Sequence, residues 1–284
     1  MNPAYGQFCT YDNSRIEPRL DYRTLQSGSW LMGVTYNYQH LNRLVLGSTV
    51  LEDESRQRST RTLLIRVGYG LTDRWLLMAI LSMTYRSVEI RLPTIGREKL
   101  ITRGIGDSYL LAGYNIIPWT LPEGKQLIVG GGIKLPTGAN DVSSDDIAVR
   151  YDMQPGTGAF DLLAWGDGIY SFNPESPAHL RLKSMFRLTT ADNHGIKAGN
   201  EIYISAGILF LPEFVGRLTS YLAYRDIGRY KDNGSIMYNT GGRWLFLGWN
   251  VLADIKSNLL GDFTMEMPLT QRVEGRIAGE TIGG

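Results

Sequence analysis

Cysteine is almost absent from this chain. The single Cys9 excludes an intramolecular disulfide framework and any multi-cysteine metal site. Phe8 before it lacks the small side chain that a lipoprotein cleavage site needs, so Cys9 reads as a free thiol. Histidine is scarce too: only His40, His179 and His194 are present. No charge of one sign dominates, with 29 Lys plus Arg against 28 Asp plus Glu in 284 residues, so nothing pulls the chain toward nucleic acid. Long apolar runs are also missing. The uncharged stretch Ser108 to Pro122 is shorter than the ~20 residues a helix needs to cross a bilayer, and Pro118 and Pro122 interrupt it. The start, "MNPAYGQFCTYDNS", has neither a basic nor an apolar leader region. A secretory signal is thus absent from this numbering, and the expectation is a cytoplasmic protein or a chain in mature form.

The chain is rich in glycine and aromatics: 33 Gly, 16 Tyr and 6 Trp, a composition that favours strands and turns over helices. In "RTLLIRVGYGLTDRWLLMAILSMTYR", residues 61 to 86, every second residue from Leu63 to Leu71 is apolar. The other set is Thr62, Leu64, Arg66, Gly68 and Gly70. After Thr72 and Asp73 the alternation resumes with Trp75, Leu77, Ala79, Leu81, Met83 and Tyr85 on one face, while Arg86 falls on the other. Trp75 and Tyr85 would stand roughly 25 Å apart in height on a strand tilted by about 40°, the depth of an outer-membrane barrel's apolar band.

The pattern recurs in about twelve segments, near 29–42, 60–71, 74–90, 107–118, 125–136, 157–171, 178–190, 200–211, 215–227, 235–247, 249–258 and 262–274. Short joins at Thr72-Asp73, Pro212-Glu213 and Gly248 take turns with long polar ones at 43–59, 91–106 and 137–156. The expected fold is all-β, a transmembrane antiparallel up-and-down β-barrel over residues 29–284, preceded by a polar segment 1–28 that could plug the lumen or hold a partner. The competing reading is a soluble sandwich whose apolar face is its core. Strands of average length, ~5 to 6 residues, would not carry aromatics at both ends of one face.

Parity then assigns residues. The expected lumen set has ten cations, Arg66, Arg86, Lys134, Arg181, Lys183, Arg187, Arg217, Arg225, Arg243 and Lys256, and five acids, Asp161, Asp167, Glu201, Asp254 and Glu266. Such an interior would favour anions. Alternatively, Arg181, Lys183 and Arg187 pair with Asp161 and Asp167 to brace a plugged barrel. The expected membrane-interface aromatics are Trp30, Tyr38, Trp75, Tyr85, Tyr224 and Trp244.

"VGYGLTDRWLL", "GGIKLPTG" and "QPGTGAFDLL", with "SGSWLMGVTYNYQH" early and "FTMEMPLTQRVEG" late, resemble the outer-membrane barrels grouped with the meta-pathway phenol-degradation proteins. The resemblance implies a bacterial outer-membrane location and a transport role for hydrophobic or aromatic small molecules, and it transfers no catalytic residue. Catalysis is not expected, since no nucleophile elbow is present. "NDVSSDD" lacks the glycine and distal glutamate of a calcium loop, and "VGGGIKLPTG" has no following helix to make a phosphate loop. No cofactor and no metal are expected. The expected partners are outer-membrane lipid, a small solute and a periplasmic or outer-membrane protein.

Overall fold

The computed structural model describes residues 26–51, 56–92, 96–120, 124–144, 147–173, 176–211, 216–256, 259–274 and 276–283. The N-terminal segment expected at 1–28 lies outside the described residues but for its last three. The strands run β1 Trp30–Leu46, β2 Arg56–Gly70, β3 Trp75–Leu92, β4 Gly96–Ile105, β5 Ser108–Thr120, β6 Lys125–Leu135 and β7 Asp161–Tyr170. They continue with β8 Ala178–Thr189, β9 Glu201–Phe210, β10 Arg217–Ile227, β11 Gly242–Lys256, β12 Leu259–Val273 and β13 Arg276–Gly283. Each pairs antiparallel with its neighbour, and β13 returns to β1 through Gln39↔Gly283 to Leu46↔Arg276. Segments β4 and β5 are two collinear halves of one stave: β4 lies along Met83–Leu92 of β3 and β5 along Trp75–Ile80. The fold is an antiparallel up-and-down barrel of twelve staves, with short turns at one end and long loops at the other.

The alternation of the sequence becomes the two faces of this sheet. On β7 Asp161, Leu163, Trp165 and Asp167 are buried, whereas Leu162 is 53% exposed. A closed sheet has only an inside and an outside, so period two sends successive side chains to the lumen and the outer surface in turn. Outward rows such as Trp30, Met32, Val34 and Tyr36 form an apolar band. At the short-turn end it carries tilted aromatic pairs, Trp30 with Tyr69 at 4.7 Å and Trp75 with Tyr114 at 4.9 Å between ring centroids. No described helix is long and apolar enough to cross a membrane, which says nothing of strands.

Three expectations about elements are corrected. Residues 91–106, read as a loop, include strand β4, which extends the sheet at its long-loop end. The segments 235–247 and 249–258 are not two strands, because Gly242–Lys256 is continuous. Gly248 is no turn: its Cα faces inward under the Tyr221 ring, where a Cβ would lie 2.3 Å from Cζ. The remaining stave is β13, whose sequence "RIAGETIG" has little apolar alternation.

The third correction concerns parity. Asn239 and Gly241 have φ of 59° and 81°, so a left-handed turn precedes β11 and the alternation restarts at Gly242. Trp244, expected at the membrane interface, is therefore inside at 4% exposure, and Arg243, expected in the lumen, points outward with its side chain 64% exposed.

Candidate functional site

The lumen is layered. Nearest the long loops is a charged layer built from strand ends. Lys134 Nζ lies 2.8 Å from an Asp161 carboxylate oxygen and 3.2 Å from one of Asp107, all three side chains being buried. Two staves further round the wall Glu201 accepts from Arg225 Nε at 2.6 Å and lies 3.1 Å from Arg187 Nη2. Buried ions persist only when paired and hydrogen-bonded: Asp161 is paired with Lys134, and Asp107 and Glu201 each meet two or more donors or cations.

Below it lies an apolar layer. Leu163, Trp165, Met185 and Tyr203 are buried beside Met78, Ile80, Leu111 and Ile128. The Trp165 indole covers Gly113 and Gly130, where a Cβ would approach the ring to 3.0 and 2.3 Å. The glycines of "VGGGIKLPTG" thus make room for an indole rather than for a phosphate. Parity alone predicted a mainly polar interior. The structure corrects this, because Leu64, Met78, Leu111 and Trp165 share the inward face with the charges.

A second polar layer sits toward the short turns. Arg181 grips Asp167 with Nε at 3.1 Å and Nη2 at 2.7 Å, a two-pronged pair that occupies both carboxylate oxygens. Lys183, directly across from Asp167 in register, has no carboxylate within ion-pair distance among the described residues, and neither has Arg217. Tyr221 reaches Glu266 with its hydroxyl at 2.9 Å. Arg66 is half-buried on the inward face and bonds the Thr35 hydroxyl. The side chains of Asp254 and Lys256 lie outside the described residues.

The loop between β6 and β7 folds into the mouth. Asp107 stands where β4 and β5 meet, and the interruption aims its carboxylate at this loop. One oxygen accepts from the Gly138 N–H at 3.1 Å and the other from the Thr157 N–H at 3.0 Å, so a single side chain clamps both ends. Between them a short 3-10 turn, Tyr151–Met153, presents backbone carbonyls to the wall. Arg58 Nη2 donates to the Asp152 carbonyl at 2.7 Å, and Arg86 Nη1 donates to those of Asp152 and Gln154 at 3.1 and 2.6 Å. The Thr102 hydroxyl bonds the Met153 carbonyl at 2.5 Å. Val149 and Met153 pack on Leu41 and Val88 of the wall. This plug could not be read from the sequence, and Arg58, expected in the polar join 43–59, instead lies in β2 with its side chain buried on the inward face.

Beside the plug a cleft opens, lined by Arg86, Lys134, Arg187, Asp192 and the rings of Tyr151 and Tyr230, whose centroids are 5.8 Å apart. It holds about 570 Å³ of space free of protein atoms, part of it open to solvent. Of the sequence-derived pairings, Arg181 joins Asp167, whereas Arg187 joins Glu201 and Asp161 joins Lys134. On the outer surface Trp30, Tyr38, Trp75 and Tyr224 are exposed, and Tyr85 is partly so. Among the described residues no group of three or more His, Cys, Asp and Glu side chains is placed to hold a metal ion.

Among solved structures the chain is similar to an outer membrane channel from Pseudomonas putida F1, with a TM-score of 0.70 and 13% identity over 93% of this chain and 96% of that one. A FadL homologue from Pseudomonas aeruginosa gives a TM-score of 0.41 at 12% identity, covering 89% of this chain and 74% of that one. No protein-family model and no curated protein matches the chain. The first likeness establishes the fold, that of a bacterial outer-membrane β-barrel.

Proposed function

We propose that this protein is an outer-membrane channel for small solutes, with a preference for those that carry negative charge or an aromatic ring. The carrying observation is the cleft at the loop end of the lumen, where Arg86, Lys134 and Arg187 converge with Asp161 and Asp192 beside Tyr151 and Tyr230, three cations to two acids. Cations lining a pore raise the local concentration of anions, and tyrosine rings add an apolar surface for a ring or short chain. Further along, Lys183 and Arg217 continue the positive path past the apolar layer. The shared fold of the Pseudomonas putida channel supports the same reading, as do the strand motifs that resemble the phenol-degradation group. The lumen residues act here by charge and shape, and no catalytic step is assigned to them.

The second reading is a sealed barrel that anchors a periplasmic or outer-membrane protein. It is favoured by the plug, which four wall contacts from Arg58, Arg86 and Thr102 hold in the mouth. Planar-bilayer recording separates the two. A channel gives discrete current steps and, across a salt gradient, a reversal potential on the anion side. No current, together with no solute uptake by liposomes holding heat-modifiable barrel, replaces the channel with the scaffold.

A further inference from the structure

The outer face carries a pattern that the lumen does not explain. Tyr38 on β1 pairs in register with Arg61 on β2, Arg61 with Tyr85 on β3, and Tyr85 with Arg103 on β4. All four side chains face outward, so the barrel wall presents a horizontal row that alternates tyrosine and arginine. The Arg61 guanidinium lies 6.0 Å from the Tyr38 ring centroid and 5.6 Å from that of Tyr85, within cation–π range of both. Among the described residues neither Arg61 nor Arg103 has a carboxylate partner.

The height of this row is informative. The outward row just below it, Tyr36, Leu63, Met83 and Ile105, carries no charge and contains residues up to 61% exposed. The row above holds His40, Ser59, Ser87 and Ile101, with Ser59 and Ser87 hydroxyls 3.1 Å apart. The two arginines therefore stand where the apolar band ends, at the long-loop end. They are about 10 Å apart by the spacing of adjacent strands. An unpaired guanidinium there faces neither hydrocarbon nor open water but the layer of lipid headgroups, whose charge it complements. Tyrosines on either side fix its plane and supply the interfacial anchor.

We infer that Tyr38, Arg61, Tyr85 and Arg103 form a docking site for the phosphorylated headgroup of an outer-leaflet glycolipid. The two guanidiniums bind its phosphates and the apolar row beneath receives its acyl chains. The inference rests on the proposed outer-membrane placement, with the long loops outside. Binding is measured on the folded barrel in detergent by native mass spectrometry, titrating lipid A with both phosphates and, in parallel, lipid A stripped of phosphate. Wild type is expected to hold the phosphorylated form, and the Arg61→Gln/Arg103→Gln variant to bind it roughly 25-fold more weakly, about fivefold per guanidinium. Arg74→Gln, at an exposed turn on the opposite rim, is expected to bind as wild type does. Equal binding by wild type and the double variant, or no discrimination between the two lipids, overturns the inference while the barrel stands. Loss of heat modifiability in wild type itself overturns the membrane placement and the inference with it.

Discussion

Replacing Arg86 with methionine should release the plug. Arg86 is 5% exposed and donates from one nitrogen to two carbonyls of the loop, those of Asp152 and Gln154. A hydrogen bond from a charged donor contributes about 1.5–3 kcal/mol net, so the two are worth at most ~6 kcal/mol. Methionine also relieves the cost of keeping a guanidinium out of water, which offsets much of that. A net loss of about 2 kcal/mol lowers the ratio of docked to undocked loop by roughly 30-fold. The strand ladder does not depend on this side chain, so the barrel should stay heat-modifiable. In planar bilayers the variant should show larger or longer openings than wild type. In proteoliposomes trypsin should cut faster after Arg150, whose side chain is 39% exposed and already borders the plug. Wild-type conductance together with wild-type cleavage would refute the idea that Arg86 holds the loop.

Three further outcomes follow from the layered lumen and its rim. Trp165→Ala removes the indole that covers Gly113 and Gly130; it should cost about 3–5 kcal/mol in guanidinium unfolding of the folded barrel and raise conductance by widening the apolar layer. Lys183→Glu sets a second acid opposite Asp167, whose oxygens Arg181 already holds, so the reversal potential should move toward cations with little change in stability. At the long-loop rim a hydrogen bond from Arg229, with Arg272 and Arg243 nearby, holds the Glu274 carboxyl below its ordinary range against a smaller opposing effect of desolvation. Its contribution is therefore complete above the ordinary glutamate range and is lost as pH falls through the lowered value. Glu274→Gln should flatten that acid limb of a thermal melt, by a small amount because both partners are about half exposed.

Much of the fold was legible because a barrel strand writes its two environments into alternate residues. Arg66 and Arg86 could be assigned to one face from the alternation alone. Where alternation crossed a turn it failed: Asn239 and Gly241 reset the phase, and Trp244 and Arg243 exchanged faces. A one-residue slip inverts every side chain beyond it, so parity is secure only within a strand. A continuous strand such as Gly242–Lys256 was likewise split, because Gly248 reads locally as a turn while its cause is the Tyr221 ring on the next stave.

By itself the sequence determined the class of fold, the direction most strand side chains take and the excess of inward cations, since each depends on residues one or two positions apart. The tertiary structure decided which charges meet, that a loop between β6 and β7 returns to fill the mouth, and that Tyr38, Arg61, Tyr85 and Arg103 stand in one row. Those depend on the register between strands and on the path of a loop. Both are set by hydrogen bonds and packing between residues far apart in the chain, which no local pattern contains.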